Sequence, residues 1–365
     1  MLKTKPDAQM SENRTDSQRE TGVVLGFLEE AEAWQLKSAQ FPSKVGGRPA
    51  WLLQVNLPTA ADLACEKCQL PTAFLLQVYA PIVGQERSFH RTLYVFCCKT
   101  SACHTANDPR CFKVFRSQLP RKNDFYPYDP PPDEKPAACA EDEHILGSGV
   151  KLCRLCGCAG HKACSRCHTV TYCCKEHQTI DWKQRHKKEC SSENSSASDA
   201  VNLFLFPEWE LVTEPEELPV KDDKPPDSNL SEQLNIVSSD LEESDLESMA
   251  HHESKDSEMF QNFKERIGAE PHQVLRYCRE GSPLWVSSEH VPKKEDIPKC
   301  SCGTNRNFEF QIMPQLLNHL KVDSLDTSID WGTLAIYTCA ASCDQGKNYS
   351  SEFIWKQDFS KDQAV

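Results

Sequence analysis

The 365-residue sequence contains no apolar run approaching the about 18 residues that a membrane-spanning helix needs. Its first stretch, MLKTKPDAQMSENRTDSQRE, lacks both the apolar core of a secretory signal and the Arg-rich amphipathic pattern of a transit peptide. These absences predict a soluble, intracellular protein that does not engage membranes. Missing too are a Gly-rich phosphate loop, a G-x-S-x-G elbow and any Cys-His nucleophile pair standing clear of the clustered cysteines. The expectation is a protein with no catalytic residues, no organic cofactor and no small-molecule substrate.

Cysteine, by contrast, is plentiful. The twenty cysteines fall in close pairs, in a chain too long to need disulfide stapling, which favours metal binding. Negative charge is plentiful but confined. The formal net charge is −13, yet residues 191–260 hold 19 Asp and Glu against 3 Lys, leaving the rest of the chain at +3. The acidity therefore belongs to one segment, and the folded parts are near neutral or slightly basic.

Order is expected to begin at Val23, where VVLGFL reads as a strand, with further strands at FLLQVYAPI and TLYVFCC. The run KVGGRPAW has turn chemistry leading into a strand, and a helix interrupted by Gly268 and Pro271 is expected over 259–280. The segment after the acidic stretch repeats the one near the start. Gly47, Pro49 and Trp51 answer Gly281, Pro283 and Trp285, and Pro58 and Pro292 each follow their tryptophan by seven residues. Cysteine pairs come next, Cys65/Cys68 and Cys300/Cys302, each followed nine residues later by a glutamine, Gln77 and Gln311. Each copy then has an apolar strand ending in a second pair, Cys98/Cys103 and Cys339/Cys343, before an aromatic-basic segment, VFRSQ or IWKQ. Such a pattern implies one mainly β (α+β) domain, duplicated and split by an insertion, with strands pairing across it.

The insertion holds Cys153-x2-Cys156, Cys164-x2-Cys167, Cys173-x3-His177 and His186-x3-Cys190. Eight thiol and imidazole ligands in so short a span suit two tetrahedral zinc sites with no vacancy, which makes the metal structural. Few large apolar side chains accompany them, so metal must supply the folding free energy, roughly 10–16 kcal/mol per ion. The arrangement resembles the MYND finger, whose ending is matched here by Tyr172, Cys173, His177, Gln178, Asp181, Trp182, His186 and Cys190. MYND fingers usually place cysteine where His177 stands, and imidazole is an equivalent zinc ligand. The resemblance implies interleaved sites: Cys153, Cys156, Cys173 and His177 on one zinc, Cys164, Cys167, His186 and Cys190 on the other, with Cys158 and Cys174 spare. Residues 151–190 hold nine Lys and Arg against three acids, which invites a nucleic-acid reading. MYND fingers lack a base-reading helix and more often dock proline-containing peptides, so protein is the preferred partner and DNA the rival. They also accompany methyltransferase domains with an Asn-His-Ser motif, but Asn318-His319 runs on into Leu320 here.

The remaining pairs form two quartets, Cys65, Cys68, Cys98 and Cys103, and Cys300, Cys302, Cys339 and Cys343. Each joins a turn pair to a strand-end pair, as a zinc clip does. Cys300-x-Cys302 is tighter than an ordinary knuckle, and buried free thiols are the alternative.

Together with the finger, the segments LGFLEEAEAW, FPSKVGGRPAW, FLLQVYAP, RSQLPRKNDFY, KEHQTIDW, EFQIMPQLLN and SIDWGTLAIYTC make the chain similar to the programmed cell death protein 2 family. Composition predicts a disordered N-terminus (1–21), a linker (129–150) and an acidic disordered linker (191–258), and the resemblance implies a β-rich domain split by a MYND finger (151–190) into a first half (22–128) and a C-terminal half (259–360). It implies residence in nucleus and cytoplasm, and roles in cell death and proliferation. It further implies a chaperone function toward a basic small-subunit ribosomal protein in ribosome biogenesis. Its alternative is transcriptional regulation through corepressor-type proteins bound by the finger.

Overall fold

The computed structural model describes residues 18–135, 144–190, 202–219, 243–322, 329–344 and 349–359. The first half supplies strands β1 (Gln18–Glu29), β2 (Lys44–Val45), β3 (Ala73–Tyr79), β4 (His90–Cys97) and β5 (Phe112–Leu119). The finger carries β6 (Lys162–Ala163), β7 (Thr171–Tyr172) and helices α1 (Lys175–Asp181) and α2 (Lys187–Glu189). After it come β8 (Trp209–Pro219), helix α3 (Glu243–Ala269), β9 (Leu275–Tyr277), β10 (Arg306–Ile312), β11 (Thr333–Cys339), β12 (Ser350–Ser351) and β13 (Phe353–Gln357). Among the described residues no helix is long and apolar enough to cross a membrane.

Eleven strands form one sheet in the order β12-β5-β4-β3-β2-β8-β1-β9-β10-β11-β13. Its two terminal strands, β12 on β5 and β13 on β11, are separated in the chain by Glu352 alone. One final segment therefore bridges the two ends of the sheet and closes it into a ring.

The repeat seen in the sequence is a two-fold in the registers. Lys44 stands opposite Gln77 and Glu210, as Arg276 stands opposite Gln311 and Leu25. Carried along the strands, this equivalence puts Phe27 and Val212 at the same position, and those two face each other across β1 and β8. The halves are exchanged there, β1 pairing with β9 and β8 with β2. Both copies also break register before the landmark glutamine, between Phe74 and Leu76 and between Phe308 and Phe310. Glu309, at the second break, is fully buried and makes a two-pronged ion pair with the equally buried Arg91 of β4, its longer arm 2.7 Å. An unpaired charge at that depth would be costly, so this pair ties one half to the other.

Several expectations need correction. First, β1 begins at Gln18, ahead of Val23 and inside the stretch 1–21 expected to be disordered, of which 1–17 lie outside the described residues. Second, the stretch 191–258 is not uniformly a linker, since β8 lies within it and α3 begins within it. In β8, Leu211, Thr213 and Glu216 are buried while Glu214 and Glu217 are exposed, so glutamates among buried positions make a strand look like an acid run. Third, KVGGRPAW does not lead into a strand. The short β2 precedes Gly46 and Gly47, and beyond them the Gln77 side chain takes the place of a ladder. It accepts from the Ala50 amide (2.9 Å) and donates to the Ala50 carbonyl (3.3 Å). Gln311 does the same for Leu284, at 2.6 and 3.0 Å. The helix expected over 259–280 is met only in its first half: α3 begins at Glu243, runs through Gly268 and stops at Ala269 before Pro271, and Leu275–Tyr277 is strand β9, while Phe260, Phe263 and Ile267 pack on Val286 and Met313.

Candidate metal centres and the finger interface

The finger is built from tight turns that turn thiols inward. Gly157 closes the first knuckle at φ +73°, with its amide on the Cys153 carbonyl at 2.8 Å. The second closes when the His168 amide donates to the Cys164 carbonyl at 3.0 Å. Cys174 is the N-cap of α1, its sulfur accepting from the His177 amide, which sets His177 in the helix's first turn and leaves Cys174 outside the ligand groups. A π-turn over Trp182–His186 then brings His186 and Cys190 to one side.

These elements gather the eight residues into two groups, Cys153, Cys156, Cys173 and His177, and Cys164, Cys167, His186 and Cys190. Two more groups form in the split domain, Cys65, Cys68, Cys98 and Cys103, and Cys300, Cys302, Cys339 and Cys343. In all four the donor atoms lie within 4.8 Å of one another. All sixteen sequence-level candidates lie in these four groups.

Distances test whether the quartets suit zinc. Sulfur pairs stand at 3.7 Å (Cys156–Cys173), 3.8 Å (Cys164–Cys190), 3.6 Å (Cys68–Cys98), 3.5 Å (Cys300–Cys343) and 3.6 Å (Cys302–Cys339). A disulfide is about 2.05 Å long, whereas a tetrahedron with Zn–S bonds of about 2.3 Å has edges of about 3.8 Å. Cys167 Sγ lies 3.5 Å from His186 Nε2, the mixed edge, and every described cysteine is free. All four clusters are compatible with zinc. Each of the four also holds a thiol poised to ionise, and at Cys153 hydrogen bonds from Cys156 and Cys173 hold it well below the ordinary thiol value. At Cys302 the hydroxyl and amide of Thr304 bring the pKa down to about 6. Burial works against Cys167 and Cys68, yet hydrogen bonds outweigh it and bring them to about 6 and about 7; Cys167 has Thr169 beside it and Cys68 has the Leu70 amide.

Sequence reasoning missed how the finger sits. The Trp51 indole donates to the Gly157 carbonyl at 2.7 Å, Arg48 donates to the Arg154 carbonyl at 2.7 Å, and Asn202 donates to the Leu155 carbonyl at 2.9 Å. A side chain at Gly157 would strike Arg48. Leu152, Leu155 and Tyr172 share one buried cluster with Trp51, Phe74, Phe96 and Phe115 of the first half. The finger's apolar side chains are few, as the sequence indicated, but they are pooled with the sheet's. The repeated Trp marked the contact; nothing local in the sequence pointed it at the finger.

By the two-fold, Trp51, Phe74, Phe96 and Phe115 correspond to Trp285, Phe308, Tyr337 and Trp355. The first set is buried under the finger, while the second forms its own cluster, with Trp285, Phe353 and Trp355 only partly buried. No described element covers the second face as the finger covers the first.

Comparison with known proteins gives three matches to family models. The N-terminal domain of programmed cell death protein 2 matches residues 22–133, its C-terminal putative domain residues 257–358, and the MYND finger residues 153–190. Programmed cell death protein 2 of Bos taurus is 51% identical over 92% of this chain and 96% of its own length. That of Rattus norvegicus is likewise 51% identical, over 92% and 96%. The probable 20S rRNA accumulation protein 4 of Schizosaccharomyces pombe is 24% identical over 89% of this chain and 93% of its own. No solved structure matches.

Proposed function

The chain belongs to the programmed cell death protein 2 family, and from that premise we propose that it is a non-enzymatic, zinc-dependent protein-holding factor serving ribosome biogenesis, a dedicated chaperone for a basic small-subunit ribosomal protein. The observation that carries the reading is the half-buried aromatic face of Trp285, Phe353 and Trp355, capped by His290 stacked on Trp355 rather than by a finger, and the counterpart of the face the chain itself uses to hold its finger. A surface of aromatic side chains that burial has not fully used is what a protein partner engages. Support for the ribosomal setting comes from the fission yeast relative, whose name ties that protein to 20S rRNA accumulation. The acidic run over 191–260 adds a field that attracts a basic client and screens its charge.

In this reading the finger's Cys153, Cys156, Cys173 and His177 hold one zinc and Cys164, Cys167, His186 and Cys190 the second. Bound there, zinc supplies folding free energy and no chemistry, since four protein ligands leave no position for water. The chain's own residues position the partner.

The test is capture by the full-length protein from nuclease-treated lysate, with wild type compared with a Trp285→Ala, Trp355→Ala double variant. Wild type should retain one basic small-subunit protein in near-equal amount, and the variant should lose it while keeping its metal. A second reading, transcriptional regulation through the finger, draws on the exposed Lys162, Arg166, Lys175, Lys183, Lys187 and Lys188. It gains ground if corepressors or DNA are recovered instead, with DNA binding falling steeply as salt rises.

A further inference from the structure

We infer that the two thiol quartets of the split domain, outside the finger, are structural zinc sites that lock the two seams where the ring closes. The inference is independent of which partner the chain holds. It starts from the equivalence of the quartets. Tyr94 faces Gln77 as Ala335 faces Gln311. Cys98 and Cys339 lie four residues beyond them and so occupy one position, each continuing into a short loop that brings the last ligand, Cys103 or Cys343. The other two ligands come from the loop before β3 or β10. Each quartet therefore ties together two loops at the same end of its own half.

Those loops receive the other half. The Arg116 guanidinium, on the last strand of the first half, donates to the Cys343 carbonyl at 2.6 Å. Gln118 donates to the Ser342 carbonyl at 3.0 Å and Arg87 to the Ala341 carbonyl at 2.9 Å. In the mirror arrangement, Lys356 of β13 is the residue equivalent to Arg116, and its ammonium reaches the Thr105 carbonyl at 3.3 Å in the loop that carries Cys103. Asn107 and Asp358 complete that seam by exchanging two hydrogen bonds of 2.7 and 2.8 Å. At the crossing itself, Glu352 accepts from Arg116 at 2.7 Å, from Arg306 at 3.0 Å and from the Cys339 amide at 3.1 Å.

A loop whose carbonyls must meet a guanidinium from another half needs a fixed shape, and these loops lack the strand pairing that would give one. Four thiolates on one ion give it. Zinc binds as the thiols lose their protons to solvent, with no oxidant or reductant involved. The sulfur spacings of 3.5 and 3.6 Å are those of a tetrahedral edge and exclude a disulfide.

The experiment is a metal count on the purified full-length chain by plasma mass spectrometry, with zinc-edge X-ray absorption on the same sample. Four zinc per chain are expected, with fourteen thiolate to two imidazole ligands over the four groups. A count of two, with six thiolates to two imidazoles, overturns the sites. A Cys300→Ala, Cys302→Ala variant then tests the seam, because neither residue belongs to the loop that meets Arg116. It should lose one zinc and exchange amides about tenfold faster or more in 112–119 and 350–357, with the finger's amides unchanged. Loss of the zinc without faster exchange there overturns the role at the seam. The wild-type count stands whether or not the variant folds.

Discussion

Gln77 and Gln311 show how one amide can replace a strand. Each satisfies both backbone groups of a residue that no ladder reaches, Ala50 or Leu284, and Tyr94 adds a second donor to the Ala50 carbonyl at 3.2 Å. Replacing Gln77 by Met keeps the volume and removes the bonds, leaving a buried N–H unpaired. The expected loss is about 1–3 kcal/mol in denaturant unfolding, with a similar value for Gln311→Met. Gly46 is a second residue with little freedom. It sits at φ +64°, and a Cβ there would lie 1.9 Å from the Pro207 carbonyl oxygen. Gly46→Ala should therefore part β2 from the chain leading into β8. Faster amide exchange in β8, with the finger unaffected, would report it.

At the scale of elements, β8 and α3 decide how the second half is laid down. The buried Glu216 of β8 takes Arg276 at 2.6 Å and Arg266 of α3 at 2.9 Å, so strand, helix and β9 meet on one carboxylate. On the other side of α3, Phe263 is buried against Val286 and Met313. Phe263→Ala should cost about 3–5 kcal/mol and leave the first half and the finger intact by amide exchange. The repeat was visible in the sequence because Gln77 and Gln311 serve the same local role in both copies and the cysteine pairs fall at equivalent positions. β8 was hidden for the opposite reason. Four of its eleven residues are glutamates, one of them buried, and composition over a long window cannot distinguish such a strand from a spacer.

For the whole molecule, the finger is part of the first half's core rather than an appended bead. Cys153→Ser should disrupt one metal group and uncover Trp51, so protection from amide exchange should fall in β3 and β4 as well as in the finger. If only the finger responded, the shared core would carry no energetic weight. The Arg91–Glu309 pair links the halves through the interior. Burial opposes ionisation of Glu309, but the Arg91 guanidinium and the Thr338 hydroxyl outweigh it and hold the carboxyl below its ordinary value of 4.5. A depressed carboxylate contributes stability that is fully present above the unfolded value and fades as pH falls through the lower folded one. Glu309→Gln should destabilise the neutral protein by about 3–5 kcal/mol, because it strands a buried guanidinium. The gap to wild type should narrow below pH 4.5 in acid titrations followed by circular dichroism.

Sequence by itself determined the finger and the duplication, because a two-residue knuckle and a repeated set of landmarks are local chemistry written in spacing. Strands such as VVLGFL and TLYVFCC were equally legible, since burial on a sheet demands apolar runs of that length. Only the tertiary structure decided that β1 and β8 trade halves, that one last strand closes the ring across Glu352, and that Trp51 is spent on the finger while Trp285 is left partly bare. Those outcomes rest on pairings between residues far apart in the chain, such as Trp51 with Gly157, Phe27 with Val212 and Phe115 with Ser351. No period or motif records such a pairing, because its energy exists only once both surfaces have formed.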